Sequence, residues 1–180
     1  MNGKLRRGGF SKCAKCAEEE ESCPHLELNC GRNEFADKLH EECAVFGVSL
    51  INRNDAPIVT YNGLVSLQHR GQEGAGIASI VDGNIDCFKK VGLVGEVFSK
   101  KAIVRLPESQ VSVGHTRYST TGANLLCNVQ PIRTEYLTGR IATSHNGNVI
   151  NALSIKNKLK KEGVKFSSTT DSEVISSLIA

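Results

Sequence analysis

Cys43-Ala44-Val45-Phe46-Gly47-Val48-Ser49-Leu50 is the stretch on which the reading of this chain turns. Its apolar run with β-branched residues predicts a buried strand. A cysteine stands at the strand's entrance, and the texture of the sequence changes at the same residue. Residues 1–42 are rich in charge, glycine and cysteine and carry no sustained period of 2 or 3.6. They read as a poorly ordered leader. From Cys43 onward, short apolar segments alternate with turn chemistry, as expected of a packed domain.

Outward from that strand, Asn52 to Pro57 is turn chemistry, and Ile58 to Tyr61 extends as a short strand. Leu64, Val65 and Leu67 suggest a short helix over Gly63 to Arg70, broken by Gly71, Gly74 and Gly76. Ile77 to Val81 and Ile85 to Lys89 flank Asp82-Gly83-Asn84, a hairpin signature. Val111 to His115 and Ile141 to Ser144 read as further strands. Asn151 is placed to cap a helix running to about Glu162, with Gly163 as its stop. Asp171 or Ser172 is placed to cap a last helix through Ile179. Several strands with helices arriving late predict a layered α+β architecture. The last apolar periodic segment, Val174 to Ile179, stops without a polar tail, so a fragment of a longer protein is expected.

Composition narrows the function classes. The 180 residues carry a net charge of +3 with the signs well mixed, and nucleic-acid binding would call for a concentrated basic stripe. Lys156 to Lys161 reads as the solvated face of a helix. No apolar run approaches the roughly 18 to 20 residues of a membrane span. The N-terminal stretch lacks the apolar region of a secretory signal, and Glu18 to Glu21 is too acidic for a transit peptide. Seven cysteines without an export signal imply reduced thiols and a cytoplasmic protein. Cys13, Cys16, Cys23 and Cys30, with His25, present metal-binding atoms in one segment, but their spacing matches no compact finger. No metal site is assigned.

By its position alone Cys43 is either a buried cysteine that opens a strand or a cysteine with chemistry. A thiol of ordinary pKa, roughly 8.5, needs activation at neutral pH. If the chain is cut before Cys43, its own α-amine, of pKa about 8, appears beside the thiol and can take its proton. Four later segments place polar groups at the exits of apolar stretches, where loops can present them to a cleft. They are Gln68-His69-Arg70-Gly71-Gln72-Glu73-Gly74, Gly114-His115-Thr116-Arg117-Tyr118-Ser119-Thr120-Thr121-Gly122, Ser144-His145-Asn146-Gly147-Asn148 and Thr170-Asp171-Ser172-Glu173.

Cys43 and these segments, in this order, resemble the class II glutamine amidotransferases, N-terminal-nucleophile hydrolases with an αββα sandwich. Within that family Gln68 to Glu73 and Asn128-Val129-Gln130-Pro131 resemble the members that form phosphoribosylamine for purine synthesis. The resemblance implies a leader or propeptide over 1–42 and an incomplete amidotransferase domain over 43–180. It also implies a following phosphoribosyltransferase domain, absent from this chain, which would use magnesium and phosphoribosyl pyrophosphate. No cofactor is implied for the chain itself, and the full-length enzyme would be a homo-oligomer. Another class II member, such as glucosamine-6-phosphate synthase, or an inactive module keeping only the fold, are the alternatives.

Residue by residue, the resemblance makes Cys43 the nucleophile that attacks the carboxamide of glutamine. Asn146 and Gly147 form the oxyanion hole, the amide NH2 and a backbone N–H being suited donors; the same pair also reads as an ordinary turn. Arg117 binds the α-carboxylate, for which a guanidinium fork is well shaped, or makes a salt bridge. Asp171 binds the α-ammonium, caps a helix, or both. Arg70 lines the glutamine pocket or offsets a helix dipole. Tyr118 and Thr120 complete the pocket and its closing loop, or pack in the core. His69, His115 and His145 are not assigned as bases, since the α-amine already fills that role.

Overall fold

The computed structural model describes residues 43–118, 125–137 and 139–180. The leader, its four cysteines and Thr120 lie outside the described residues. Residues 41–180 form one compact unit.

Four antiparallel strands make the main sheet: β1 (Ala44–Ser49), β2 (Gly74–Val81), β3 (Asn84–Val91) and β4 (Val111–Arg117), in the order β1-β4-β2-β3. The hairpin β2–β3 forms where turn chemistry demands it. Asp82 and Gly83 take φ of 49° and 74°, the left-handed pair that a two-residue turn between twisted strands requires. β1 pairs with β4 in the register Ala44↔Thr116, so Cys43 lies beside Arg117 and Tyr118 at the end of both strands. β1 is an edge strand with alternating exposure rather than the buried strand its composition suggests; Val45, Gly47 and Ser49 face solvent.

Helix α1 (Ala56–Ser66) covers one face of this sheet. It replaces the strand expected over Ile58 to Tyr61 and ends at Ser66, inside the span expected of the helix. Pro57 sits in its first turn, where a missing N–H costs nothing, and Ala56, Pro57, Thr60 and Leu64 are buried at helical spacing. Tertiary burial outweighs the β-branched preference of Ile58-Val59-Thr60. A Cβ on Gly63 would come within 2.5 Å of the Phe46 ring, so glycine there lets the helix lie directly on β1. A 3-10 turn over Gln68–Arg70 follows. Gly74 and Gly76 lie inside β2 rather than breaking a helix. Short helices α2 (Val94–Val97) and α3 (Lys100–Ile103) complete this layer. Its core is Leu64, Ala75, Ile77, Val94, Val97 and Phe98.

Gly74 to Ser79 are buried on both faces of β2. On the face opposite α1 lie Val129, Gln130 and Pro131, leading into a second, two-stranded sheet of β5 (Ile132–Tyr136) and β6 (Gly139–Thr143). Helices α4 (Ala152–Lys161) and α5 (Asp171–Ile179) follow, α5 packing on β5 and β6. The layers therefore run helix, sheet, sheet, helix, the αββα arrangement expected from the resemblance. Gly163, with φ of 94°, stops α4 as read from the sequence. α5 begins one residue earlier than expected: Thr170 is its N-cap and Asp171 its first helical residue. Asp171 is released from capping because its carboxylate accepts a different N–H, that of Val149, at 2.8 Å. Among the described residues no helix is long and apolar enough to cross a membrane.

Candidate active site

The strand ends of β1 and β4, the loop after β6 and the first turn of α5 meet in one cleft. It is lined by Cys43, Arg117, Tyr118, Gln130, His145, Asn146, Gly147, Thr170, Asp171 and Ser172. Residues separated by more than a hundred positions in sequence are brought together because β1 returns beside β4 and the second sheet stacks on the first.

Cys43 takes a φ of 50°, a left-handed value that a residue with a Cβ rarely adopts and that costs about 1 kcal/mol or more. Its sulfur lies against the backbone of Tyr118, whose N–H donates to Sγ at 3.3 Å; the thiol in turn reaches the Tyr118 carbonyl at 3.4 Å. Arg70 holds the same residue from the other side, donating Nε–H to the Cys43 carbonyl at 3.0 Å. Arg70 stands in the last turn of the 3-10 helix, where a cation offsets the dipole, and from there its side chain braces the nucleophile's backbone.

Arg117 is 4% exposed and donates Nη1–H to the Asn128 carbonyl at 3.1 Å. Asn128 in turn accepts from the N–H and hydroxyl of Thr169 through its side-chain oxygen, at 3.0 and 3.1 Å. The guanidinium is thus fixed in the cleft wall by a chain of bonds running back to Thr169, just before α5. Asp171 lies in the first turn of α5, its second oxygen 3.9 Å from His145 Nδ1. Asn146 and Gly147 are exposed to the cleft. A Cβ on Gly147 would meet His145 Nε2 at 2.8 Å, so the loop folds tightly over the His145 ring.

Gln130, quoted in the sequence only as part of a motif, proves to be the hub of this loop. Its Oε1 accepts the His145 N–H at 2.7 Å, while its Nε2 donates to the His145 carbonyl at 3.2 Å and to the Ser172 hydroxyl at 2.9 Å. The peptide bond from Gln130 to Pro131 is cis. A polar residue between Val129 and Pro131, both fully buried, is the one sequence signal that could have exposed this role, because a buried carboxamide must find partners.

Two buried titratable groups, His115 and Glu173, stand on the elements that carry the cleft residues, β4 and α5. His115, on β4, is fully buried, and burial pushes its pKa down to about 4, more than the nearby His145 backbone raises it. Among the described residues, neither ring nitrogen has a hydrogen-bond partner of good geometry, and the ring, neutral above about pH 4, behaves as a core residue. Glu173 is 5% exposed. Burial would raise its pKa, but four hydrogen bonds of 2.7–2.8 Å from the N–H and hydroxyl groups of Ser167 and Ser168 outweigh burial and hold it below the ordinary carboxylate value.

Comparison with known proteins agrees with this geometry. Residues 102–180 match the model of a glutamine amidotransferase domain. Over 145 residues the chain is 46% identical to the amidophosphoribosyltransferase of Rhizobium etli, and over 149 residues 42% identical to that of Homo sapiens. These alignments cover 80% and 79% of this chain and 29% of each relative. Among solved structures, the Bacillus subtilis glutamine phosphoribosylpyrophosphate amidotransferase complexed with ADP and GMP aligns with a TM-score of 0.66 at 39% identity. That alignment covers 75% of this chain and 28% of the other. The chain therefore carries a glutamine amidotransferase domain with the N-terminal-nucleophile hydrolase fold. That domain is homologous to the one found in amidophosphoribosyltransferases. The chain spans less than a third of the length of these relatives.

Proposed function

We propose that the domain hydrolyses glutamine through Cys43. Removal of residues 1–42 frees the Cys43 α-amine and abolishes the strained φ dihedral, which exists only while a residue precedes it. The amine takes the thiol proton, and the thiolate, supported by the Tyr118 N–H, attacks the carboxamide carbon. Arg117 pairs with the α-carboxylate and Asp171 with the α-ammonium, so a free amino acid is held at both ends. The oxyanion of the tetrahedral intermediate is met by the Asn146 side-chain NH2 and the Gly147 N–H. Collapse of the intermediate breaks the C–N bond; the amine returns its proton and ammonia leaves. Water then cleaves the thioester to glutamate. Tyr118 lines the pocket beside the nucleophile.

The observation that carries this reading is the convergence of Cys43, Arg117, Asn146, Gly147 and Asp171 on one cleft. In the whole protein the ammonia would displace pyrophosphate from phosphoribosyl pyrophosphate in a magnesium-dependent domain, giving phosphoribosylamine for purine synthesis. The relatives named above favour that acceptor over a sugar phosphate. A cytoplasmic homo-oligomer fits the same reading, although two relatives, both from Arabidopsis thaliana, are named as chloroplastic. The test is release of glutamate and ammonia in equal amounts from glutamine. Cys43→Ala abolishes both if the reading is right; unchanged release from that variant contradicts it.

A further inference from the structure

We infer that Gln130 is a positioning residue of the amidotransferase site: its carboxamide ties the 145–147 loop to the start of α5 and so keeps Asn146 and Gly147 in register with Asp171. The inference rests on the glutaminase reading of the cleft.

The carboxamide is 4% exposed and its hydrogen-bonding capacity is committed to protein. One N–H goes to the His145 carbonyl, the other to the Ser172 hydroxyl, and Oε1 takes the His145 N–H. Residue 145 is therefore held at both its backbone groups, as a neighbouring strand would hold it. The amide orientation is fixed by these partners, since only oxygen can accept the His145 N–H. Gln130 reaches the cleft but has no donor left for glutamine, so it acts through the loop. The His145 ring lies against Gly147, which transmits the position of residue 145 to the oxyanion donors.

The other end of Gln130 is anchored in the main sheet. Lys89 on β3 donates to the carbonyls of Val129 and Pro131, the latter at 3.1 Å. Gly76 on β2 leaves the space that the Gln130 carbonyl occupies; a Cβ there would lie 2.2 Å from that oxygen. Gln130 thus spans from the nucleophile's sheet to the loop facing it. A displacement of about 1 Å in such a span is enough to cost on the order of a hundredfold in rate.

Gln130→Met and Gln130→Glu are compared with the wild type by amide hydrogen exchange and by steady-state glutamine hydrolysis. Methionine fills the same length with no hydrogen bond; glutamate keeps the acceptor for the His145 N–H and loses both donors. In Gln130→Met, the hydrogen-bonded amides of His145 and Val149 exchange at least about tenfold faster while those of β2 and β4 do not change. In both variants kcat falls at least about tenfold with little change in KM, the pattern of a group acting only in the transition state. Gln130→Glu retains protection at the His145 amide. Unchanged exchange at the His145 and Val149 amides of Gln130→Met overturns the inference whether or not the wild type is active. Faster exchange with an unchanged kcat also overturns it. A wild type that hydrolyses no glutamine contradicts the proposed function, while the exchange comparison still decides the clamp. Should Gln130→Met fail to fold, Gln130→Glu decides by the same two readouts, with loss of protection at the Val149 amide and of kcat expected.

Discussion

Adding a single methyl at Gly76 should damage the site far more than the fold. A Cβ there would sit 2.2 Å from the Gln130 carbonyl oxygen, 2.7 Å from Lys89 Cβ and 3.0 Å from Pro131 Cδ. The nearest of these is backbone, which must retreat by about 1 Å to reach ordinary contact; overpacking of this kind costs about 1–3 kcal/mol. The retreat carries Gln130 with it, so the bonds to His145 and Ser172 lengthen or break. The control is Gly114→Ala on β4, whose Cβ would meet Thr60 Cγ2 at 2.7 Å and Leu64 Cδ1 at 2.8 Å, on the helix-covered face. The two variants should melt within a few degrees of each other, yet Gly76→Ala should lose at least about tenfold more kcat for glutamine hydrolysis. Thermal unfolding paired with steady-state kinetics measures both. Equal kcat values in the two variants, or a wild-type kcat in Gly76→Ala, would refute the coupling between β2 and the oxyanion loop.

Asn146→Ala should lower kcat on the order of a hundredfold or more with almost no change in melting temperature, because the side chain is exposed and its work is confined to the oxyanion; glutaminase kinetics with a parallel melt checks this. His115 is neutral in the folded state, with its pKa lowered to about 4, while in the unfolded chain it takes a proton near pH 6.5. Stability from this group is therefore complete above about pH 6.5 and is lost as pH falls toward about 4, by about 3 kcal/mol in all. Imidazole resonances followed by NMR and urea midpoints measured across that range test it, and a ring titrating near 6.5 contradicts it. Glu173 acts in the same direction at lower pH: its depressed carboxylate stabilises above the ordinary value and the contribution disappears as pH falls through the folded one. Glu173→Gln should cost about 2 kcal/mol or more, since an amide NH2 then faces donors on Ser167 or Ser168; urea unfolding at neutral pH reads the loss.

How far the sequence led depended on how local each decision was. The β2–β3 hairpin was legible because Asp82 and Gly83 set their own backbone angles. α1 was not, because Ile58-Val59-Thr60 carries a strand preference that only burial against β1 and β4 overrules. Gly63, read as a helix start, stands in the last turn of α1, where the Phe46 ring leaves no room for a side chain. In the site, Cys43, Arg117, Asn146, Gly147 and Asp171 were found through their motifs, and the fold brings them to one cleft. The bond from Arg70 to the Cys43 carbonyl was not legible, since the two residues lie 27 positions apart. Gln130 was passed over for the same reason: its partners lie 15 and 42 residues away.

The central claim is that Cys43, as an N-terminal residue, is the nucleophile of a glutamine-splitting site. Mass spectrometry of the purified protein after treatment with a diazoketone analogue of glutamine tests it in one measurement. The account predicts a chain that begins at Cys43 and carries one covalent adduct on that residue, with labelling prevented by excess glutamine. A chain that begins at Cys43 yet stays unlabelled, or takes the label on Cys87 or Cys127, would contradict it.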